Sequence, residues 1–279
     1  MGTKLATLLS TDHEVTVWNR TRSKITAGID ARIAETASEA IGSSETIIIC
    51  VHDYKAVNEV LSQVTVHDTF RDKVVINFTT IGPDESTALQ TVVHDNGGQF
   101  VNGALQVAPD QMGLPGTTIF LSGDRPAFET ARPILLLLGG NLSYFGEKVS
   151  DASVADLASL TWFYGAYLGM IHAVALCRKT GFSLADFGNL LPQVAPDFIA
   201  FMQHQVQAIE HNNFAVNQSP LSISVTAATR IAGTLQTQGL YSEMWQGISA
   251  LFSEAVNMNL VDQELASIIQ VVGKERVAA

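Results

Sequence analysis

The sequence predicts two architectures in one chain: a doubly wound α/β domain over residues 1–149, then an all-helical domain over residues 150–279 that opens with a long interdomain helix. Three observations carry this expectation. Up to about residue 145, short apolar runs alternate with helical stretches, as in a parallel sheet covered on both faces by helices. After Gly146 no β-alternating run survives and only helical periodicity remains. Between the two lies Leu157 to Cys177, 21 residues without Asp, Glu, Lys or Arg.

Taken in order, the strand-like runs are EVTVW (14–18), TIIICV (46–51), KVVINF (73–78), GQFVNGAL (98–105) and TTIFLSG (117–123). Helical stretches separate them, among them DYKAVNEVLSQV (53–64) and DESTALQTVVHDNG (84–97). Residues 128–146 supply one more helix and a last short strand. In the second half, breaks are expected at KTGFS (179–183), Pro192, Pro196, HNNFAVNQSP (211–220) and TQGLY (237–241).

Composition narrows the function classes. A hydrophobic fraction of 47% with 15% charged residues is that of an ordered globular chain. A formal net charge of −11 disfavours nucleic acid and anionic membrane surfaces as partners. The charge-free run is long enough to span a bilayer. Its Ser159, Thr161, Tyr164, Tyr167, His172 and two glycines fit instead a helix buried all round, by a second domain or a second subunit. Two cysteines, Cys50 and Cys177, each in an apolar run, read as buried free thiols of a reducing, cytoplasmic compartment. Residues 1–10 lack the apolar core of a signal peptide. The seven histidines show no metal-ligand spacing, so no metal site is expected.

One stretch breaks the acidic trend. EVTVW is followed at once by Asn19, Arg20, Thr21, Arg22 and Lys24. In doubly wound sheets, ligands bind at the C-terminal ends of the strands, and a carboxylate ending the second strand takes the free ribose hydroxyl of NAD. A neutral amide followed by cations fits a 2′-phosphate instead, and so NADPH. The alternative is a solvated helix start with incidental basic residues. The dinucleotide fingerprint also needs a first strand and a G-x-G-x-x-G turn. The sequence opens at what looks like its last glycine, Gly2, and the helix beyond. Either the start is internal to the real protein, which is the favoured reading, or the central strand is absent and cofactor binding is weak or lost.

Five stretches together, MGTKLATLLSTDHEVTVWNRTRSK, IIICVHDYKAV, VVINFTTIGPDES, VNGALQVAP and GEKVSDASVADLASLTWFYGAYLGMIHAVAL, resemble NADPH-dependent imine reductases and reductive aminases of the β-hydroxyacid dehydrogenase superfamily. The resemblance runs from Gly2 through nearly the whole chain and weakens after residue 190. It implies a Rossmann-type domain, an interdomain helix and a helical domain exchanged within a homodimer, with the active site between one subunit's nucleotide domain and the other's helices. That arrangement would cover the charge-free helix.

The resemblance also implies roles. Asp156 stands where hydroxyacid dehydrogenases of the superfamily carry a catalytic lysine. A carboxylate there suits an iminium cation, as an ammonium suits a developing oxyanion. Tyr164, two turns on, matches a tyrosine that positions the amine. Gly2, Val51, His52 and Thr80 would line the dinucleotide path with the Asn19–Lys24 cluster. Gln106, Asp197, Ile223 and Ser224 would face the substrate, an imine or an amine with its carbonyl partner. Relatives often carry Met in place of Gln106, and some carry Trp in place of Asp197 and a Met–Gln pair around Ile223 and Ser224, so the pocket is expected to be more polar and less aromatic than theirs. Two rivals remain: a β-hydroxyacid or semialdehyde dehydrogenase, and a dimeric homologue that lost catalysis with its glycine loop.

Overall fold

The computed structural model describes residues 1–25, 28–64 and 69–274; His67 and the last five residues of the expected helical domain lie outside them. The chain divides into two compact units, Met1–Phe163 and Tyr164–Ala279.

The first unit begins with α1 (Gly2–Leu9), followed by β1 (Thr16–Val17) and a 3-10 turn, Arg22–Lys24. Next come β2 (Arg32–Ile33), α2 (Ala37–Gly42), β3 (Thr46–Ile49), α3 (Tyr54–Leu61), β4 (Val74–Asn77) and α4 (Pro83–Asp95). It continues through β5 (Gln99–Leu105), β6 (Thr118–Gly123), α5 (Arg125–Leu138) and β7 (Asn141–Tyr144) to α6 (Asp151–Thr180), which runs on into the second unit. Local chemistry starts the helices. Asp53 accepts from Ala56 N at 2.8 Å before α3, and Thr36 accepts from Glu39 N at 3.1 Å before α2. Pro83 opens α4, while Glu85 reaches back to Gly82 N at 2.7 Å.

The strands form two sheets: a parallel pair β1–β2, and a five-stranded sheet in the order β3-β4-β5-β6-β7. No ladder joins β1 to β3, the two strands that would flank the first strand of a dinucleotide fold. The expectation of a missing central strand therefore shows as a split sheet. The expectation of an all-parallel sheet does not hold, because β6 runs antiparallel to β5. Residues 106–117 between them hold only a 3-10 turn, Pro109–Gln111, and a parallel return needs a full crossover element. The two-residue β2 has no counterpart in the sequence reading; only two bridges define it.

Strand alternation builds two cores. Val74, Ile76 and Phe78 face a layer formed with Leu5 and Leu9 of α1 and Ala131, Leu135 and Leu138 of α5. Val75 and Phe100 face the other way, against Val57 and Leu61 of α3 and Leu89 and Val93 of α4. Both sheet faces are thus covered, which is why these strands read as continuous apolar runs.

The second unit holds the rest of α6, then α7 (Leu184–Glu210), α8 (Leu221–Thr237), α9 (Glu243–Asn257) and the short α10 (Ile269–Val272). The breaks at 179–183, 211–220 and 237–241 fall between helices, but α7 continues through Pro192 and Pro196. Each proline removes one backbone hydrogen bond without ending the helix. Within this chain α6 is not buried along its apolar run: Trp162, Phe163 and Tyr164 are exposed. By length and composition α6 would suffice to cross a membrane.

Glu264 organises the α7–α8 connection. It is fully buried and accepts from Asn217 N at 2.7 Å, Gln218 N at 3.0 Å, Ser219 N at 3.1 Å and Gln205 Nε2 at 2.9 Å. Burial pushes its pKa up, yet these hydrogen bonds outweigh it and bring the value down from 4.5 to about 2. Because the folded value is depressed, its stabilisation is complete above the ordinary 4.5 and disappears as pH falls toward 2. Glu264→Ala is expected to cost about 2–4 kcal/mol in urea unfolding at neutral pH, since three backbone donors lose their acceptor. A cost below about 1 kcal/mol would mean the loop finds other partners.

Candidate active site

A buried polar row across the sheet sets the start of α6. Asn77 of β4, Asn102 of β5 and Ser122 of β6 are successive register partners, and none is more than 2% exposed. Asn77 Nδ2 donates to Asn102 Oδ1 at 2.9 Å, and Asn102 Nδ2 donates to Ser153 Oγ on α6 at 2.9 Å. Ser122 Oγ donates to Val149 O at 2.7 Å and accepts from Ala152 N at 2.9 Å. Groups buried this deeply must be paired, so the row fixes both the position and the rotation of the first turn of α6.

Three residues past Ser153, that rotation brings Asp156 to the end of β5, where it is 7% exposed. Gln106 Nε2 donates to Asp156 Oδ1 at 2.7 Å. Ser159 Oγ donates to Gln106 Oε1 at 2.8 Å and to Asp156 O at 2.9 Å, which settles the orientation of the amide. Asp156 makes no ion pair among the described residues. A nearly buried carboxylate thus faces an amide donor and no cation. Ser153 and Ser159, not among the site residues expected from the sequence, carried a visible signal: each lies three positions from Asp156, on the same helix face.

The strand ends form a second group. Val51 N donates to Thr79 Oγ1 at 3.1 Å, and Thr79 N donates to Asn77 Oδ1 at 3.0 Å, so the ends of β3 and β4 are tied into the polar row. His52 and Thr80 are exposed beside them. Gly2 begins α1, whose N-terminus has no side-chain cap, the kind of helix end that takes an anionic phosphate. A Cβ at Gly2 would lie 3.8 Å from Cys50 O, an ordinary contact. Cys50 and Cys177 are free and half-buried, and burial pushes the Cys50 thiol up.

After β1, Asn19 Nδ2 donates to Thr21 O at 2.7 Å and shapes the turn that carries the cations. Arg20 pairs with Glu59 of α3 at 2.5 Å, and Arg22 with Glu35 at 2.5 Å. Lys24 makes no ion pair among the described residues. An exposed cluster with an amide in place of a carboxylate fits a 2′-phosphate. Glu35 and Glu59 were not legible as partners, because they lie 13 and 39 residues from the arginines they meet.

The remaining predicted residues lie in the second unit. Tyr164, on α6, is 57% exposed. Asp197, on α7, is exposed; Ile223 and Ser224 sit in the first turn of α8, Ile223 exposed and Ser224 half-buried.

Comparison with known proteins also divides the chain in two, but just before α6 rather than within it. Residues 1–146 match the family described as the NAD binding domain of 6-phosphogluconate dehydrogenase, and residues 149–274 match the NADPH-dependent reductive aminase-like C-terminal domain. The chain is 29% identical to an NADPH-dependent reductive aminase of Aspergillus oryzae over 97% of its own length and 93% of that protein. It superposes on a reductive aminase of Aspergillus terreus, solved with NADPH and ethyl levulinate, with a TM-score of 0.90 at 28% identity, covering 98% of this chain and 95% of that one. An imine reductase of Myxococcus stipitatus, solved with NADP+, shares the fold, with a TM-score of 0.89 at 24% identity over 97% of this chain and 96% of that one. The chain belongs to the NADPH-dependent imine reductase and reductive aminase family.

Proposed function

We propose that this protein reduces imines, or the iminium ions they form on protonation, to amines with NADPH. One observation carries the reading: Asp156 is nearly buried, held by Gln106, and without a cationic partner among the described residues. An unpaired buried anion is costly, and a substrate that arrives positively charged supplies the missing partner. An alkoxide-forming carbonyl reduction would meet repulsion at the same place, which argues against the hydroxyacid dehydrogenase reading.

The roles follow from position. NADPH supplies the hydride when bound; the Asn19–Lys24 turn would take its 2′-phosphate, and Gly2, Val51, His52 and Thr80 would lie along its path. Asp156 stabilises the cation on nitrogen, and Gln106 holds the carboxylate in one orientation through its own bond from Ser159. Tyr164 orients the nitrogen, and Asp197, Ile223 and Ser224 line the substrate side from the helical part of a partner subunit. The division of labour falls at residues 149/150, in a cytoplasmic protein.

Asp156→Asn is expected to lower kcat for a small cyclic imine by about 10²-fold or more, measured by NADPH consumption, with little loss of stability because the amide keeps the volume. Turnover within threefold of the unaltered protein would remove the basis of the reading.

The same proposal includes a homodimer. Val154, Leu157, Trp162, Phe163, Tyr167, Leu168 and Ile171 expose large apolar surfaces along α6. A second copy covering them would remove a large apolar area from water. Light scattering is expected to give about twice the chain mass of 30.0 kDa, and Leu168→Glu is expected to shift the protein toward the single-chain mass. A monomer at micromolar concentration would contradict the proposed interface.

A further inference from the structure

We propose that Glu59 and Glu35 set the affinity of the Arg20–Arg22 cluster for a 2′-phosphorylated nucleotide, by occupying both guanidinium groups until the phosphate displaces them. The inference rests on the NADPH reading and concerns what that reading leaves open: the strength of discrimination against a cofactor without the phosphate.

Both arginines meet a carboxylate at 2.5 Å, one from α3 and one from the segment after β2. The Arg20 and Arg22 side chains are 72% and 59% exposed, so an incoming group can reach the guanidinium faces the carboxylates leave free. A 2′-phosphate carries about −1.5 to −2 charges, and it meets these two carboxylates around the very cations it needs. It must displace them or approach against like charge. A free ribose hydroxyl meets neither condition, so the carboxylates act on one cofactor class only.

Glu59 has somewhere to go. It lies four residues after Lys55 on α3, and the two line one open depression with Tyr54, Asn58, Ser62 and Glu85. Release from Arg20 therefore leaves Glu59 a second cation within one helical turn. Exposed ion pairs are weak, so displacement is affordable and the handicap is modest: roughly threefold to tenfold in affinity for the pair of carboxylates.

Calorimetric titration of the full chain with 2′,5′-ADP and with 5′-ADP tests the inference. The unaltered protein is expected to prefer 2′,5′-ADP. Glu59→Gln with Glu35→Gln is expected to tighten 2′,5′-ADP roughly threefold to tenfold and to leave 5′-ADP within twofold. Glu45→Gln removes one negative charge just before β3 and is expected to change neither. Three results with the variants overturn the proposal: no tightening or weaker binding in the double variant, equal tightening of both nucleotides, or the same tightening from Glu45→Gln. An unaltered protein without preference for 2′,5′-ADP defeats the NADPH reading and this inference together. A preserved preference that the double variant does not sharpen defeats this inference alone.

Discussion

The geometry of the site depends on one constraint: three polar side chains buried in a single row across β4, β5 and β6 must all be satisfied. Asn77, Asn102 and Ser122 reach their partners only if the start of α6 sits where Val149, Ala152 and Ser153 are placed. An unpaired amide or hydroxyl at this depth costs far more than a paired one contributes, so the network has one good arrangement. The same row ties the ends of β3 and β4 through Thr79. Helix position and strand ends are thereby registered to one another, and Asp156 inherits its place from them.

What that place means chemically is a matter of sign. Among the described residues, Asp156 has a neutral amide as its side-chain hydrogen-bond donor and no cationic partner, and it is almost closed from water. A buried carboxylate needs compensation: Glu264 obtains it from four hydrogen-bond donors, whereas the Asp156 carboxylate has one, Gln106 Nε2, among the described residues. At the turn after β1 the logic is reversed: Arg20 and Arg22 are cationic, exposed and already partnered by carboxylates. The chain thus keeps a desolvated anion where bond change is proposed and solvated cations where a phosphate is proposed to be recognised. Attraction is strong in the first setting and adjustable in the second.

Much of this was legible in the sequence. The alternation of apolar runs gave the layered α/β domain, and Val74, Val75 and Ile76 pointing alternately to the two cores show why those runs are continuous. Loss of the alternation after Gly146 located the helical half. Asp156 and Gln106 were named separately, but their mutual hydrogen bond spans 50 residues and no local pattern encodes it. The antiparallel β6 escaped because strand direction depends on what crosses over between strands, and residues 106–117 had to be seen to lack a helix. The prolines of α7 misled for a related reason: in a long helix, losing single hydrogen bonds at Pro192 and Pro196 does not outweigh the turns on either side. Glu264 drew no attention at all, since a lone acid near the end of the sequence says nothing about the loop whose backbone it collects.

The most direct test of the polarity claim compares two inhibitors of equal shape, one charged and one neutral: a cyclic secondary ammonium ion and the cyclic ether of the same ring size, each competed against an imine substrate in the presence of NADPH. The ammonium ion is expected to bind about tenfold or more tightly, because only it supplies the charge that the Asp156 carboxylate lacks. Equal inhibition by the two, or tighter binding of the ether, would contradict the account.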